Sequence, residues 1–168
     1  MGWRSVVLGA AMALPLMAQA GDWTVRFDGA GPLKVGMRFE TVAKILGGDV
    51  KRTPKDLRLV ANCFQLEPAH QPGLLLMFID DVLKRVDVME EGIVSERGIA
   101  LGDPIAKVER AYGEAIQRAA QLRDPSEQTL TVLAGGGQYA IRFETGKGKI
   151  TGLYAGDYPQ VQLTEGCQ

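Results

Sequence analysis

Histidine occurs once in this chain, at His70, and cysteine twice, at Cys63 and Cys167, with no C-x-x-C pair. A Ser-His-Asp or Cys-His arrangement would have to use His70. The surrounding "EPAHQPG" has the composition of an exposed turn. Ser95 and Ser126 lie in polar connectors without a G-x-S-x-G elbow. One histidine and two cysteines are too few ligands for a zinc site. No alternating Asp/Asn loop with a central glycine points to calcium. The "GGGQ" at 135–138 lacks the G-K-[ST] and the following helix of a phosphate loop. The acid pairs Asp80-Asp81 and Glu90-Glu91 do not converge on one substrate atom, because neighbours on a strand point to opposite faces. The sequence therefore names no catalytic residue, no cofactor and no metal.

Charge of one sign is also lacking. Lys and Arg number 19 against 20 Asp and Glu, for a formal net charge of −1. That balance gives no reason to expect nucleic acid or an anionic membrane as a partner. The longest apolar stretch, Val6 to Met17, is short for a bilayer span. With Arg4 before it and Ala18-Gln19-Ala20 after it, residues 1–20 read as a signal peptide cleaved after Ala20. The expected location is the periplasm or the exterior, without a stable membrane anchor. Disulfides persist there, so Cys63 and Cys167 are expected to pair. The bond would close a loop of about 100 residues, worth up to about 4–5 kcal/mol in the chain-entropy account. It would also tether the C-terminal tail.

What is present is periodicity. Trp23, Val25 and Phe27 alternate as a strand. Phe39, Val42, Ile45 and Leu46 have helical spacing, and Gly47-Gly48 follows. "LRLVANCFQLEP" can be extended. Leu74 to Ile79 is a continuous apolar run, Asp80-Asp81 a tight turn, and Val82 to Met89 the return strand of a hairpin. In "RGIALGDPIAKVERAYG" (97–113), Asp103 is the expected N-cap and Pro104 the first helical residue. Ile105, Val108 and Tyr112 form its apolar face, and Gly113 stops it. "EAIQRAAQLRDPSEQ" reads either as helix or as strand and loop. "TLTVLA", "QYAIRFET" and "KITGLYAG" read as strands separated by Gly135-Gly136-Gly137 and Gly146-Lys147-Gly148 turns.

Displaced by 66 residues, "GPLKVGMRFETVAKILG" (31–47) lies over 97–113. Gly36 meets Gly102, Val42 meets Val108, and Gly47 meets Gly113. Near the same offset, "LLLMFIDDVLKRVDV" matches "YAIRFETGKGKITGL" in kind, with Phe78 over Phe143. A repeat at fixed offset speaks for architecture. This pattern of apolar-x-apolar-Gly, short helix, Gly and then hairpin resembles the tandem repeat of β-lactamase inhibitor protein. It is also similar to SmpA/OmlA (BamE)-like envelope proteins. The resemblance implies an α+β fold of two tandem units, each a short helical element packed on one face of a small antiparallel sheet. The first unit would span 21–92 and the second, with the disulfide-tethered tail, 93–168. The chain departs from the assembly lipoproteins in having no cysteine beside the cleavage site.

A sheet covered on one side leaves a second face. If Tyr139, Ile141 and Phe143 face the helices, Arg142 and Glu144 lie on that face, and Arg85 and Asp87 join them from the first hairpin. These four are the candidate partner surface. The expected function is an exported periplasmic, non-enzymatic protein-binding module. It would be an inhibitor or immunity protein for an envelope-acting enzyme, or an envelope-assembly accessory. Its partner would be another periplasmic or envelope protein. The alternatives are a small-molecule or lipid carrier, with Leu74 to Ile79 as lining, and a cell-wall hydrolase.

Overall fold

"KVGMRF" and "ALGDPI" each place a glycine three residues before a helix. Gly36 (φ +92°) and Gly102 (φ +83°) turn the chain through the left-handed region. In this computed structural model, which describes residues 23–48 and 50–167, both glycines aim the following backbone at a strand in the same way. The Gly36 N–H donates to the Leu83 carbonyl, the Leu83 N–H to that of Met37, and the Phe39 N–H to that of Asp81, each at 2.8 Å. At the second site the Gly102 N–H donates to Ile150 and the Ile150 N–H to Asp103, both at 2.8 Å. The Ile105 N–H donates to Gly148 at 3.2 Å. The expected signal peptide, residues 1–20, lies outside the described residues.

The elements in chain order are β1 (Val25–Arg26), β2 (Gly29–Ala30), β3 (Leu33–Lys34), α1 (Phe39–Ile45), β4 (Cys63–Leu66), β5 (Leu74–Ile79) and β6 (Val82–Val88). They continue with α2 (Ile105–Tyr112), β7 (Ile116–Ala120), β8 (Gln128–Ala134), β9 (Tyr139–Gly146), β10 (Lys149–Asp157) and α3 (Tyr158–Val161). The turn between β5 and β6 uses Asp80 and Asp81 at φ +51° and +61°, the double left-handed geometry that matches strand twist.

The expectation of two units with separate small sheets is overturned. Strands β4 to β10 form one seven-stranded antiparallel sheet in the order β4-β5-β6-β10-β9-β8-β7. A small three-stranded meander, β1-β2-β3, stands apart from it. The cause lies in β6 and β10. Each is the last strand of its hairpin, with one edge unpaired. Placed antiparallel, with Val88 opposite Leu153 and Arg85 opposite Gly156, they satisfy each other's backbone groups and merge the two halves. Helix is a minor component: α1 has 7 residues, α2 has 8 and α3 has 4.

One face of the large sheet carries the core. Phe64, Leu76, Phe78, Val86, Ile141, Phe143, Leu153 and Ala155 are buried there with Phe39 and Val42 of α1, Val108 of α2, and Val25, Ala30 and Leu33 of the meander. Phe64 and Phe78 stack at 5.0 Å, and Phe39 meets both edge-on. Leu74, Leu76 and Phe78 belong to this packed core.

Three local expectations change. Asp103 does not cap α2: its carboxylate accepts from the Ala100 N–H behind it and from Lys107 Nζ one turn ahead, at 2.8 and 2.7 Å. Pro104 (ψ 146°) is the extended N-cap residue, not the first helical one. Ile45 is 41% exposed, so the apolar face of α1 is narrower than its spacing suggests. The ambiguous stretch after Gly113 contributes a strand, β7, at the sheet edge, where pairing with β8 outweighs the helix propensity of its alanines.

Candidate functional site

Opposite the core, alternate residues of the central strands project to the second face. The register sets Arg142, Tyr154, Asp87 and Leu75 in one row, and Ala140, Gly156, Arg85 and Met77 in the next. The structure thus brings together all four residues of the expected partner surface. They do not form an open surface: Arg85 is 1% exposed, Asp87 2% and Arg142 6%. The reason is the chain's own tail, whose helix α3 packs on β6, β9 and β10.

Two guanidiniums hold that tail. Arg85 Nη1 donates to the carbonyls of Gln160 and Leu163 at 2.7 and 2.6 Å. Arg142 Nη1 donates to those of Val161 and Gln162 at 3.2 and 2.8 Å. Each arginine also grips the acid two residues along its strand. Arg85 reaches Asp87 through Nε (2.6 Å) and Nη2 (2.8 Å), and Arg142 reaches Glu144 at 2.9 Å. Tyr154 lies between them, its ring 5.0 Å from the Arg85 guanidinium and 5.9 Å from that of Arg142. Its hydroxyl donates to Glu144 at 3.2 Å.

Burial sets the electrostatics. It pushes the Asp87 carboxyl above its ordinary range, against the opposing pull of Arg85. It also pushes the Tyr154 hydroxyl up to about 12, with the Glu144 charge adding to the effect. The cluster's two cations are matched by two carboxylates, the arrangement a buried charge requires.

The tail is fastened beyond these contacts. Cys63, on edge strand β4, is bonded to Cys167 across a separation of 104 residues. The expected disulfide is therefore present. Beside it, Gln65 Oε1 accepts from the Cys167 N–H at 3.4 Å, and Gln65 Nε2 reaches Asp87 at 3.5 Å. Gly166 (φ +65°) lies so close that a Cβ there would sit 2.3 Å from the Gln65 side-chain oxygen.

A second feature is the loop between α1 and β4. Arg52 bonds Asp81 at 2.7 Å, pairs with Glu40, and lies 4.1 Å over the Phe39 ring. Arg58 donates to the carbonyls of Thr53 and Ala61 at 2.8 and 3.2 Å and lies 4.5 Å over Phe64. Both arginines fold back over rings of the core edge, Arg52 with its side chain still 36% exposed, while Leu57 and Leu59 are 70% and 84% exposed and Val60 is 40% exposed. Leu57 and Leu59 line an open depression of about 180 Å³ with Phe64, Cys63 and Cys167.

Sequence reasoning did not reach Arg52, Arg58, Gln65 or Tyr154. Nothing local in "KRTPKDLRLV" separates inward arginines from outward leucines. The tail's role over Arg85 and Arg142 has no signal apart from the Cys167 tether. Elsewhere, His70 is exposed. Asp80 accepts from Asn62 at 3.1 Å and Asp81 from Arg52, so this acid pair is engaged in loop bracing. Among the described residues, no three His, Cys, Asp or Glu side chains cluster as metal ligands. Among them, too, no helix is long and apolar enough to cross a membrane.

No family model and no curated protein matches the chain. A solved structure, the uncharacterized protein yfeY from Escherichia coli, is similar over 79% of this chain and 99% of its own, at 16% identity and a TM-score of 0.47.

Proposed function

We propose that this chain is an exported, non-enzymatic protein-binding module of the cell envelope, and that the loop 50–62 presents its contact residues to another envelope protein. The observation that carries this reading is the outward display of Leu57, Leu59 and Val60 on a loop braced against the body of the fold by Arg52 and Arg58. Single exposed apolar residues need no explanation, but three within four positions form a patch of the kind that marks interaction sites. A braced loop loses little conformational freedom on association, so more of the contact energy remains for affinity. The Cys63–Cys167 bond is compatible with export. An inhibitor of an envelope-acting enzyme would use such a rigid, apolar-tipped loop, and this is the role within the class that we favour.

The test is crosslinking in intact envelopes with a photoreactive residue in place of Leu59. One stoichiometric partner is expected, lost when Leu57→Asp is added. Absence of any partner, or its retention in Leu57→Asp, would sink the proposal.

A further inference from the structure

The tail contacts have an unusual charge balance. Each guanidinium that holds the tail is already neutralised by its neighbour, Arg85 by Asp87 and Arg142 by Glu144. An anionic ligand would gain little here, because approaching either arginine also means approaching a carboxylate. What the Nη1 edges suit is a neutral acceptor. Four carbonyls, those of residues 160–163, now fill that role. They lie at and just beyond the end of a helical turn, where carbonyls lack the usual intrahelical partner; that of Gln160 also accepts from the Leu163 N–H at 3.2 Å. One donor is left over: Arg142 Nε is buried with no partner among the described residues.

We propose that the trough over Arg85, Arg142 and Tyr154 is a peptide-binding site, filled in the oxidised chain by its own segment 158–167. Reduction of Cys63–Cys167 opens it to the carbonyl-bearing end of a helical turn on a protein partner. The arginine trough is distinct from loop 50–62 and does not rest on the function assigned to that loop, although the disulfide that latches the trough shares a depression with Leu57 and Leu59.

The latch lies where it controls the tail. Cys167 follows the arginine contacts in sequence and fixes the far end of the segment to β4. Cys63 and Cys167 both line an open depression; Cys63 is buried and Cys167 part-exposed, so the Cys167 side is the one a dithiol would approach. The dithiol attacks one sulfur, a mixed disulfide forms, and its second thiol resolves it. Two electrons and two protons pass to Cys63 and Cys167, and the donor leaves as a disulfide. The tail is then covalently tethered at one end only, and a partner competes against its arginine contacts multiplied by its effective concentration.

Hydrogen exchange on the full chain tests the latch. Reduction with dithiothreitol is expected to lower protection of the 158–167 amides by about tenfold or more. Unchanged protection overturns the proposal. The site is tested with a fluorescent synthetic peptide of residues 158–168 carrying Cys167→Ala. The receptor is the reduced full chain with Val161→Asp, which charges a tail residue that is 0% exposed. Saturable binding is expected, weakened about tenfold or more by Arg142→Ala and missing in the oxidised wild type. No binding to a receptor whose circular dichroism matches the wild type overturns the site. If Val161→Asp does not fold, the reduced wild type serves: excess peptide must raise exchange at 158–167, and no rise overturns the site.

Discussion

Arg85 and Asp87, two residues apart on one strand, face each other through paired contacts of 2.6 and 2.8 Å while being at most 2% exposed. A charge so placed is tolerable only with its partner. Asp87→Ala is therefore expected to cost about 3–5 kcal/mol by leaving Arg85 buried and unpaired. Arg85→Met combined with Asp87→Leu should cost less than the two single changes together, since neither charge is then stranded. Urea unfolding of Asp87→Ala, of the double variant and of its two single variants checks this. An Asp87→Ala loss below about 1 kcal/mol would show that the pair is not buried in solution.

Gly156 sits opposite Arg85 at the central seam, where a Cβ would lie 2.2 Å from the Lys84 carbonyl oxygen. Backbone cannot yield as a side-chain tip can. Gly156→Ala should destabilise by about 3 kcal/mol. Gly36→Ala meets no atom within 4 Å and suffers only from its φ of +92°, so it should cost about 1–2 kcal/mol. Thermal unfolding of both variants orders them.

Asp103 has its carboxyl held below the ordinary range by Lys107 first and then by the Ala100 N–H. A depressed folded value means that the unfolded state binds the proton more readily. This contribution is therefore complete above about pH 4 and disappears as pH falls through the folded value. Asp103→Asn should lose about 0.5–1 kcal/mol at pH 7, and the gap to wild type should close as pH falls through the folded value. A gap that persists in acid would assign the loss to something other than the charge.

Tyr112 and Tyr154 have hydroxyls pushed up to about 12, in both cases chiefly by burial. The folded chain keeps these protons where the unfolded chain, near pH 10, gives them up. Stability should consequently fall as pH rises from about 10 to about 12. Ultraviolet titration should show a late-ionising component from Tyr112 and Tyr154, and Tyr154→Phe should remove part of it.

The hairpin 74–88 was legible because its signals are local: an apolar run, an Asp-Asp turn and a return strand. The correspondence of Gly36 with Gly102 was also visible, and the structure gives the two glycines the same hydrogen-bonding task. The merged sheet was not legible, since nothing in β6 or β10 alone states which edge meets which. Arg142 and Glu144 were correctly assigned to the face away from Ile141 and Phe143. That this face is covered depends on a segment about 20 residues further on, whose docking leaves no periodicity in "DYPQVQLTEGCQ".

The seam between β6 and β10 also affects how the chain is made. Val88 finds its partner only at Leu153, 65 residues later. Until residues 149–157 reach it, the edge of β6 stays open. For that interval the nascent first half presents Val86 and Val88 on a bare strand edge, which invites pairing with a second chain. The slowest and most aggregation-exposed stage of production should be the wait for β10, so a holding chaperone would act on the first half and be dispensable once the sheet has closed.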